Sequence, residues 1–252
     1  LSAFATTTFV TSCVPMTKIP YTQNFDSETG TTATNTNVLP ICWSQINGGT
    51  NYSGLPTVYN SNSYAHSGSN SLYFYTYSSS DYADQYAVLP GIDPTQITLS
   101  SLQLTFSARS YSASYPFEIQ VGVMSDPSVD STFQPVQTIT VNGTAYQHCE
   151  VYFSNFTGTG DYIAFKVAKP TSNYNYGFVD DVVLEEAPNC SPVLDLTVSN
   201  VAGTSALLSW TDGHFGTPAS YTVEYSEAGQ NNWMTASASV TGSPYMLSGL
   251  DQ

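Results

Sequence analysis

Two adjacent carboxylates offer the clearest opportunity for specific chemistry in this sequence. Asp180 and Asp181 interrupt the apolar run from Phe178 to Leu184. Neighbouring side chains of a strand point to opposite faces, so one of these acids should face the interior or a sheet edge. A buried carboxylate is costly unless it is paired or bound to metal. Because the chain has only four Lys and Arg, we expect a calcium ion with oxygen ligands. The alternative is hydrogen bonding to loop amides alone.

Tyrosine is the second residue type whose spacing predicts a function. Tyr73, Tyr75 and Tyr77 share one face of an expected strand. If Leu72 and Phe74 point into the core, these tyrosines form an outward ladder on which sugar rings could stack. Further tyrosines in expected loops could line the same surface, chiefly Tyr111, Tyr115, Tyr174 and Tyr176, with Tyr52, Tyr59, Tyr64 and Tyr82 as additional members. The alternative for any single one is an ordinary sheet-facing role.

The four cysteines form no C-x-x-C motif, which argues against structural zinc and thioredoxin-like redox chemistry. Four cysteines allow three pairings. Cys13 and Cys190 lie just outside the first and last expected strands of the first domain. If those strands pair antiparallel, the two cysteines come close together, which leaves Cys42 and Cys149 as the second pair. Pairing of Cys13 with Cys42 is the rival arrangement.

No motif for catalysis is present. His66, His148 and His214 are isolated in the sequence, and the H-E-x-x-H, G-x-S-x-G and Gly-rich phosphate-loop patterns are absent. Two carboxylates of a glycosidase need only meet in space, about 5 to 10 Å apart, but the composition gives such a site no support. We therefore expect a protein that is not an enzyme.

Charge excludes several classes of partner. Only 9% of the 252 residues are charged, against about 25% in an average soluble domain. The net charge of −15 would repel the phosphates of nucleic acids and anionic lipid surfaces. No apolar run approaches the roughly 20 residues of a membrane helix, so we expect neither nucleic-acid binding nor membrane insertion. The first residues also lack the features of a signal peptide, which suggests an interior fragment of a longer precursor.

Alternation with a period of two predicts strands along residues 19–186. Clear runs include Leu102 to Phe106, Phe117 to Val123 and Tyr162 to Val167. Turn clusters separate these runs, and no stretch is suited to a long helix. The fold class is therefore predicted to be all-β, with antiparallel strands in a sandwich. The Pro-containing segment 187–192 is the expected linker.

A different series of motifs begins after this linker. Trp210 follows Ala206-Leu207-Leu208-Ser209, Tyr221-Thr222-Val223-Glu224-Tyr225 comes next, and Leu247-Ser248-Gly249-Leu250 ends the series. In this order the motifs resemble a fibronectin type III domain over residues 191–252. Such a sandwich needs about 100 residues, so the resemblance implies a partial domain.

The first domain, residues 14–187, resembles the cleaved-adhesin domains of gingipain-type haemagglutinins and, more distantly, the MAM domain. The resemblance is carried by five motifs in the order of the family, namely Ile19-Pro20-Tyr21-Thr22-Gln23-Asn24-Phe25-Asp26, Leu39-Pro40-Ile41-Cys42-Trp43, Ser67-Gly68-Ser69-Asn70-Ser71-Leu72, Tyr162-Ile163-Ala164-Phe165-Lys166 and Phe178-Val179-Asp180-Asp181-Val182. It implies a jelly-roll sandwich, export by a bacterium through type IX secretion, cation binding and adhesion to host proteins or glycans. Because such jelly rolls pair their first and last strands, it also implies that Asp26 and Glu28 join Asp180 and Asp181 at the cation.

Together these inferences predict a non-catalytic adhesion module, secreted or on the cell surface, whose partner is a glycan or glycoprotein. The alternative is a structural spacer repeat of a long extracellular protein. Residues 1–13 read as the end strand of a preceding type III repeat or as a linker, with 4–12 as the expected strand. We therefore also expect neighbouring repeats of the same polypeptide as partners, and closing strands missing from residues 191–252.

Overall fold

Short strands joined by turns make up nearly all of the regular structure, as the Tyr- and Thr-rich runs predict. The computed structural model describes residues 13–33, 36–49, 54–188, 193–213, 220–230 and 232–250. It divides the chain into two units, residues 1–187 and 188–252. Within the described ranges, no helix has the length and apolar character that a membrane span requires.

The first unit contains eleven strands in its described part. Two single turns of 3-10 helix, Leu99–Ser101 and Asp130–Thr132, lie between them. The strands are β1 (Tyr21–Gln23), β2 (Ser44–Gly49), β3 (Thr57–Asn60), β4 (Asn70–Tyr77), β5 (Tyr82–Val88), β6 (Leu102–Ser110), β7 (Phe117–Met124), β8 (Gln134–Val141), β9 (Gln147–Tyr152), β10 (Tyr162–Val167) and β11 (Tyr174–Glu186).

These strands form two antiparallel sheets. One has the order β3-β4-β11-β6-β9, with β1 also paired to β11, and the other has the order β2-β5-β10-β7-β8. The first and last strands are therefore neighbours, with Tyr21 opposite Leu184 and Gln23 opposite Val182. The all-β, antiparallel sandwich predicted from the sequence is the fold observed.

The core lies between the two sheets and follows the alternation of the strands. Phe74 and Phe106 enter it from the first sheet, and Phe165 enters from the second. Trp43 packs edge-on against Phe25 at 5.7 Å between ring centroids and is stacked at 6.5 Å on Phe165. Each fully buried Phe contributes about 2 to 3 kcal/mol to folding, so these rings hold the two sheets together.

Strand β11 contains a β-bulge at the two acids. Asp180 lies opposite Ser107 of β6, but Val183 lies opposite Thr105, so β11 has one residue more than its partner. Asp181 is the extra residue and has a left-handed φ of 48°. The bulge keeps Asp180 on the outer face and returns Val182 to the core. One acid, Asp180, is buried, but it lies on the outer face of this sheet and not between the two sheets, because the bulge changes the alternation.

The disulfide joins Cys13 to Cys42, with 5.5 Å between the Cα atoms. The predicted pairing of Cys13 with Cys190 is thus wrong, although the pairing of the first and last strands is correct. The reason is that the residues before β1 do not continue its pairing with β11. Met16 forms an isolated bridge with Ile92 instead. Cys190 lies outside the described residues.

The predicted partnership of Cys42 with Cys149 is also wrong. Cys42 is bonded to Cys13, and Cys149 is a free, buried thiol on β9. Its side chain belongs to the core cluster between the sheets. Cys149 therefore acts as a small apolar side chain in the packing.

The second unit contains five strands in its described part. A three-stranded sheet has the order β12-β13-β16, and β14 pairs with β15. Trp210 contacts Tyr221 edge-on at 5.0 Å. The predicted strand at residues 4–12 lies outside the described residues. The strands are β12 (Leu194–Ala202), β13 (Ser205–Thr211), β14 (Tyr221–Tyr225), β15 (Met234–Val240) and β16 (Tyr245–Ser248).

The buried thiol predicts a loss of stability at alkaline pH. Burial raises the pKa of Cys149 from 9.0 to about 11, so the native state favours the neutral thiol. Its contribution is fully present below pH about 9 and is lost as the pH rises towards 11. Urea unfolding of wild type and Cys149→Ala across this interval should show a steeper decline for wild type. Parallel declines would contradict a titrating thiol in the core.

Candidate functional site

The outer face of the first sheet carries an aromatic cluster, named here the tyrosine surface. On β4 and β11 the register places Tyr73 opposite Phe178, Tyr75 opposite Tyr176, and Tyr77 opposite Tyr174. Alternation places the three tyrosines of β4 on one face and the three aromatic residues of β11 on one face, and the pairing of the two strands brings these sets together. Tyrosines from β3, from the loop after it and from the loop after β6 complete the surface, which comprises Tyr59, Tyr64, Tyr73, Tyr75, Tyr77, Tyr111, Tyr115, Tyr174, Tyr176 and Phe178.

Ring contacts run without interruption across this surface. Phe178 is stacked between Tyr73 and Tyr64, each with its ring centroid 4.7 Å away. At the other end, Tyr77 stacks on Tyr174 at 4.6 Å. The rings fix one another in place, so a ligand would meet an ordered surface and little side-chain entropy would be lost on binding.

A cavity of about 430 Å³ opens on the tyrosine surface and is lined only by aromatic side chains. This volume lies within the range of pockets that hold small ligands. Tyrosine rings offer an apolar face for stacking and a hydroxyl that donates or accepts a hydrogen bond. The lining residues are Tyr59, Tyr73, Tyr75, Tyr111, Tyr174, Tyr176 and Phe178.

The structure brings together all seven tyrosines that the sequence singled out for ligand binding. Tyr174 and Tyr176 lie on β11, not in a loop as expected, and their alternation with Asn175 and Gly177 could have shown this. Tyr73 is only 7% exposed because neighbouring rings cover it. Phe178 was missed as a member of the surface, although it continues the same alternation along β11.

The cation Arg109 lies at the end of this surface nearest Phe178. Its guanidinium is 5.5 Å from the ring centroid of Tyr64 and 5.8 Å from that of Tyr146. It also donates a hydrogen bond to the carbonyl of Ser63 at 3.1 Å. Because Arg109 lies opposite Phe178 on β6, these contacts hold the loop that contains Tyr64 against the sheet.

The same loop is held at its other end by Asp180. The Asp180 Oδ2 atom accepts hydrogen bonds from the amides of His66 at 2.8 Å and Ser67 at 3.2 Å. The loop covers Asp180, which is fully buried. Burial raises the pKa of Asp180 to about 6, although the amide hydrogen bonds act in the opposite direction. The acid is therefore the anchor of the loop on β11.

The other two acids near this loop are also hydrogen-bonded to it. Asp181 accepts from the Ser67 hydroxyl at 2.6 Å and lies 2.6 Å from Nδ1 of His66. Asp26 Oδ1 accepts from the amides of Ser69 and Asn70 at 2.8 and 3.2 Å. Thus three of the predicted cation ligands converge on the loop at residues 66–70. Asp180 and Asp26 bind its backbone amides, and Asp181 binds its side chains.

The fourth predicted ligand, Glu28, contributes differently. Its backbone carbonyl accepts a hydrogen bond from the side chain of Asn70 at 2.9 Å, whereas its carboxylate accepts from the hydroxyl of Ser27 at 3.3 Å. No group of three or more His, Cys, Asp or Glu in the described ranges is arranged to hold a metal ion. The loop amides are the partners seen in this structure, so calcium stays a prediction.

The histidines are less isolated than the sequence suggests. His66 pairs with Asp181, and His148 lies 3.3 Å from Glu150. Although Ser67 is adjacent, its hydroxyl donates to Asp181 and not to His66. This arrangement lacks the contact from nucleophile to base that activates a serine. The third histidine, His214, lies outside the described residues.

Comparison with known proteins gives similarities only to solved structures. No family model and no curated protein matches the chain. The K1 cleaved adhesin domain of Lys-gingipain from Porphyromonas gingivalis W83 is 17% identical, with 68% of this chain and 100% of that domain covered and a TM-score of 0.49. The K2 domain of Lys-gingipain gives 16% identity, coverages of 66% and 99%, and a TM-score of 0.48.

A xylan-binding domain, CBM22-1 of Xyn10C from Paenibacillus barcinonensis, is also similar. It is 11% identical, with 67% of this chain and 95% of that domain covered and a TM-score of 0.42. Because these identities and TM-scores are low, the function of this chain has to follow from its own geometry.

Two glycines allow a direct test of whether Asp26 anchors the loop at residues 66–70. Both Gly68 and Gly143 have a left-handed φ, but a Cβ on Gly68 would lie 1.8 Å from Oδ2 of Asp26, whereas one on Gly143 would meet no atom within 4 Å. We expect Gly143→Ala to cost about 1 kcal/mol through backbone strain alone. Gly68→Ala should cost at least about 2 kcal/mol more, since Asp26 must give up its amide partners. Urea denaturation measures both, and equal costs would contradict an anchoring role for Asp26.

Proposed function

We propose that this chain is a non-catalytic binding module that holds a glycan, or the glycan of a glycoprotein, on the tyrosine surface. The observation that supports the proposal is the cavity of about 430 Å³ lined only by tyrosines and Phe178. An open row of aromatic rings with hydroxyl groups suits sugars, which present apolar C–H faces and a rim of hydroxyls.

The same observation favours binding over the alternative, a structural spacer. A spacer needs no cavity, and an aromatic surface that stays partly exposed is a liability for a protein with no ligand. The proposal also includes association with neighbouring repeats of the same polypeptide, because a binding module can occur in a repeated array.

We also propose that the protein acts outside the cell or on its surface. The disulfide between Cys13 and Cys42 is typical of proteins from oxidising compartments. Export by type IX secretion is the route that the adhesin resemblance suggests. Mass spectrometry of the surface fraction of the producing cells, with the cytoplasmic fraction as control, tests this placement.

Removal of single rings should separate glycan binding from folding. We expect Tyr176→Ala or Tyr111→Ala to weaken binding roughly two- to tenfold, because loss of one stacking face costs about 0.5 to 1.5 kcal/mol. The change is measured on a glycan array and then by calorimetry with the glycans that bind. Tyr245→Ala, in the other unit, is the matched control and should bind normally. Unchanged binding by both surface variants would refute the proposal.

Calcium at Asp26, Glu28, Asp180 and Asp181 is a separate proposal. The oxygen donors are of the right kind, and Asp180 is a fully buried carboxylate in a chain that is poor in bases. The fit is partial, however, because loop amides already occupy oxygens of Asp180 and Asp26. A bound ion would supply positive charge between the ends of β1 and β11 and the loop.

If calcium binds only to the native state, it must raise the melting temperature by mass action. We expect a chelator to lower the melting temperature of the first unit and excess calcium to restore it. Calorimetry of the full chain measures this, with Asp161→Asn as a control that leaves the response unchanged and Asp26→Asn as a variant that abolishes it. An identical melting curve in chelator and in calcium would refute the proposed ion.

A further inference from the structure

A second cavity lies beside the tyrosine surface, in the same unit. Its volume is about 480 Å³, and Tyr174 lines both cavities. Tyr115 stands at the junction, with its ring centroid 5.4 Å from that of Tyr174. The two cavities therefore meet at Tyr174.

The second cavity, named here the polar cavity, is lined by charged side chains that the first cavity lacks. Glu118 and Lys169 line it, together with the turn at 170–173. Neither charged side chain takes part in the ion pairs found among the described residues. Their charged groups can therefore hydrogen-bond the hydroxyls of a ligand, whereas the rings of the first cavity offer stacking.

The backbone around the second cavity is fixed by its own hydrogen bonds. Buried Asn175 accepts from the amide of Glu118 at 3.0 Å and donates to the carbonyls of Glu118 and Ala168 at 2.9 and 3.2 Å. The amide of Lys169 donates to Asp84 at 2.9 Å. These contacts tie the turn to β7 and β5, so the polar cavity is formed before any ligand arrives.

The length of the combined surface sets a minimum length for the ligand. Phe178 and Tyr174 are four residues apart on β11, which corresponds to about 13 Å, and the polar cavity lies beyond Tyr174. One sugar ring covers about one aromatic side chain, so a ligand that reaches both cavities needs several rings. The net charge of −15 disfavours a chain of uronic acids or sulfated sugars.

We propose that one extended, uncharged oligosaccharide chain binds across both cavities, with its middle on Tyr174 and one end beside Glu118 and Lys169. This inference rests on the glycan-binding function proposed above. The aromatic cavity supplies stacking, and the polar cavity selects the pattern of hydroxyl groups. Internal segments of a polysaccharide are therefore the expected target, not a terminal sugar.

Calorimetry of the full chain with neutral β-1,4-linked oligomers of glucose, xylose and mannose, from disaccharide to hexasaccharide, tests the inference. The recognised hexasaccharide should bind at least about tenfold more tightly than its disaccharide, equivalent to about 1.4 kcal/mol. Lys169→Met should weaken hexasaccharide binding several-fold and leave disaccharide binding unchanged. Lys18→Met, an exposed lysine elsewhere in the unit, is the matched control and should change neither.

The possible failures are distinguishable. Equal affinity for short and long oligomers, or a Lys169→Met variant that binds all lengths normally, would overturn the extended chain. In that case a loss of binding in Tyr176→Ala would still uphold glycan binding. If no oligomer binds but choline does, the surface is a cation site and both proposals fail, since aromatic rings in an acidic protein also attract quaternary ammonium groups.

Discussion

Strand β11 supplies side chains to the core on one face and to the tyrosine surface on the other, and the rest of the first unit depends on this division. It pairs with β1, β4 and β6, so its alternation decides which residues of the sheet face the core. Gly177 and Val179 point inward, and Phe178 and Asp180 point outward. Without the extra residue at Asp181, the next inward position would be Asp181 itself, and Val182 would be exposed. The bulge avoids both a carboxylate in the core and an exposed valine, because the extra residue shifts the alternation at the two acids.

The bulge also connects the candidate binding surface to the loop beside it. Asp180 stays on the outer face directly after Phe178, and the loop that contains Tyr64 closes over it through two amide hydrogen bonds. Tyr64 then stacks on Phe178. A single backbone irregularity therefore anchors the loop and completes one end of the tyrosine surface. Loss of the anchor would expose a buried carboxylate and move one ring of the surface.

The scarcity of charge explains why hydrogen bonds from the backbone have this role. The four Lys and Arg residues cannot neutralise 19 acids, and Arg109 is already engaged with Ser63 and two aromatic rings. Amide groups of an ordered loop are the remaining donors for a buried acid. The same composition leaves an uncharged aromatic surface within an acidic protein, which suits a neutral ligand more than an anionic one.

Alternation in the sequence determined the fold class, most strands and the shared face of Tyr73, Tyr75 and Tyr77, because periodicity is a local property of the chain. The pairing of the first strand with the last came from the family resemblance. Only the tertiary structure decided the disulfide, since Cys13 reaches Cys42 by leaving the sheet at Met16, a path that spacing does not encode. It also decided the position of Asp180, because the bulge depends on the register between β11 and β6. The junction of the two cavities at Tyr174 arises likewise from residues distant in sequence, which no local pattern could have brought together.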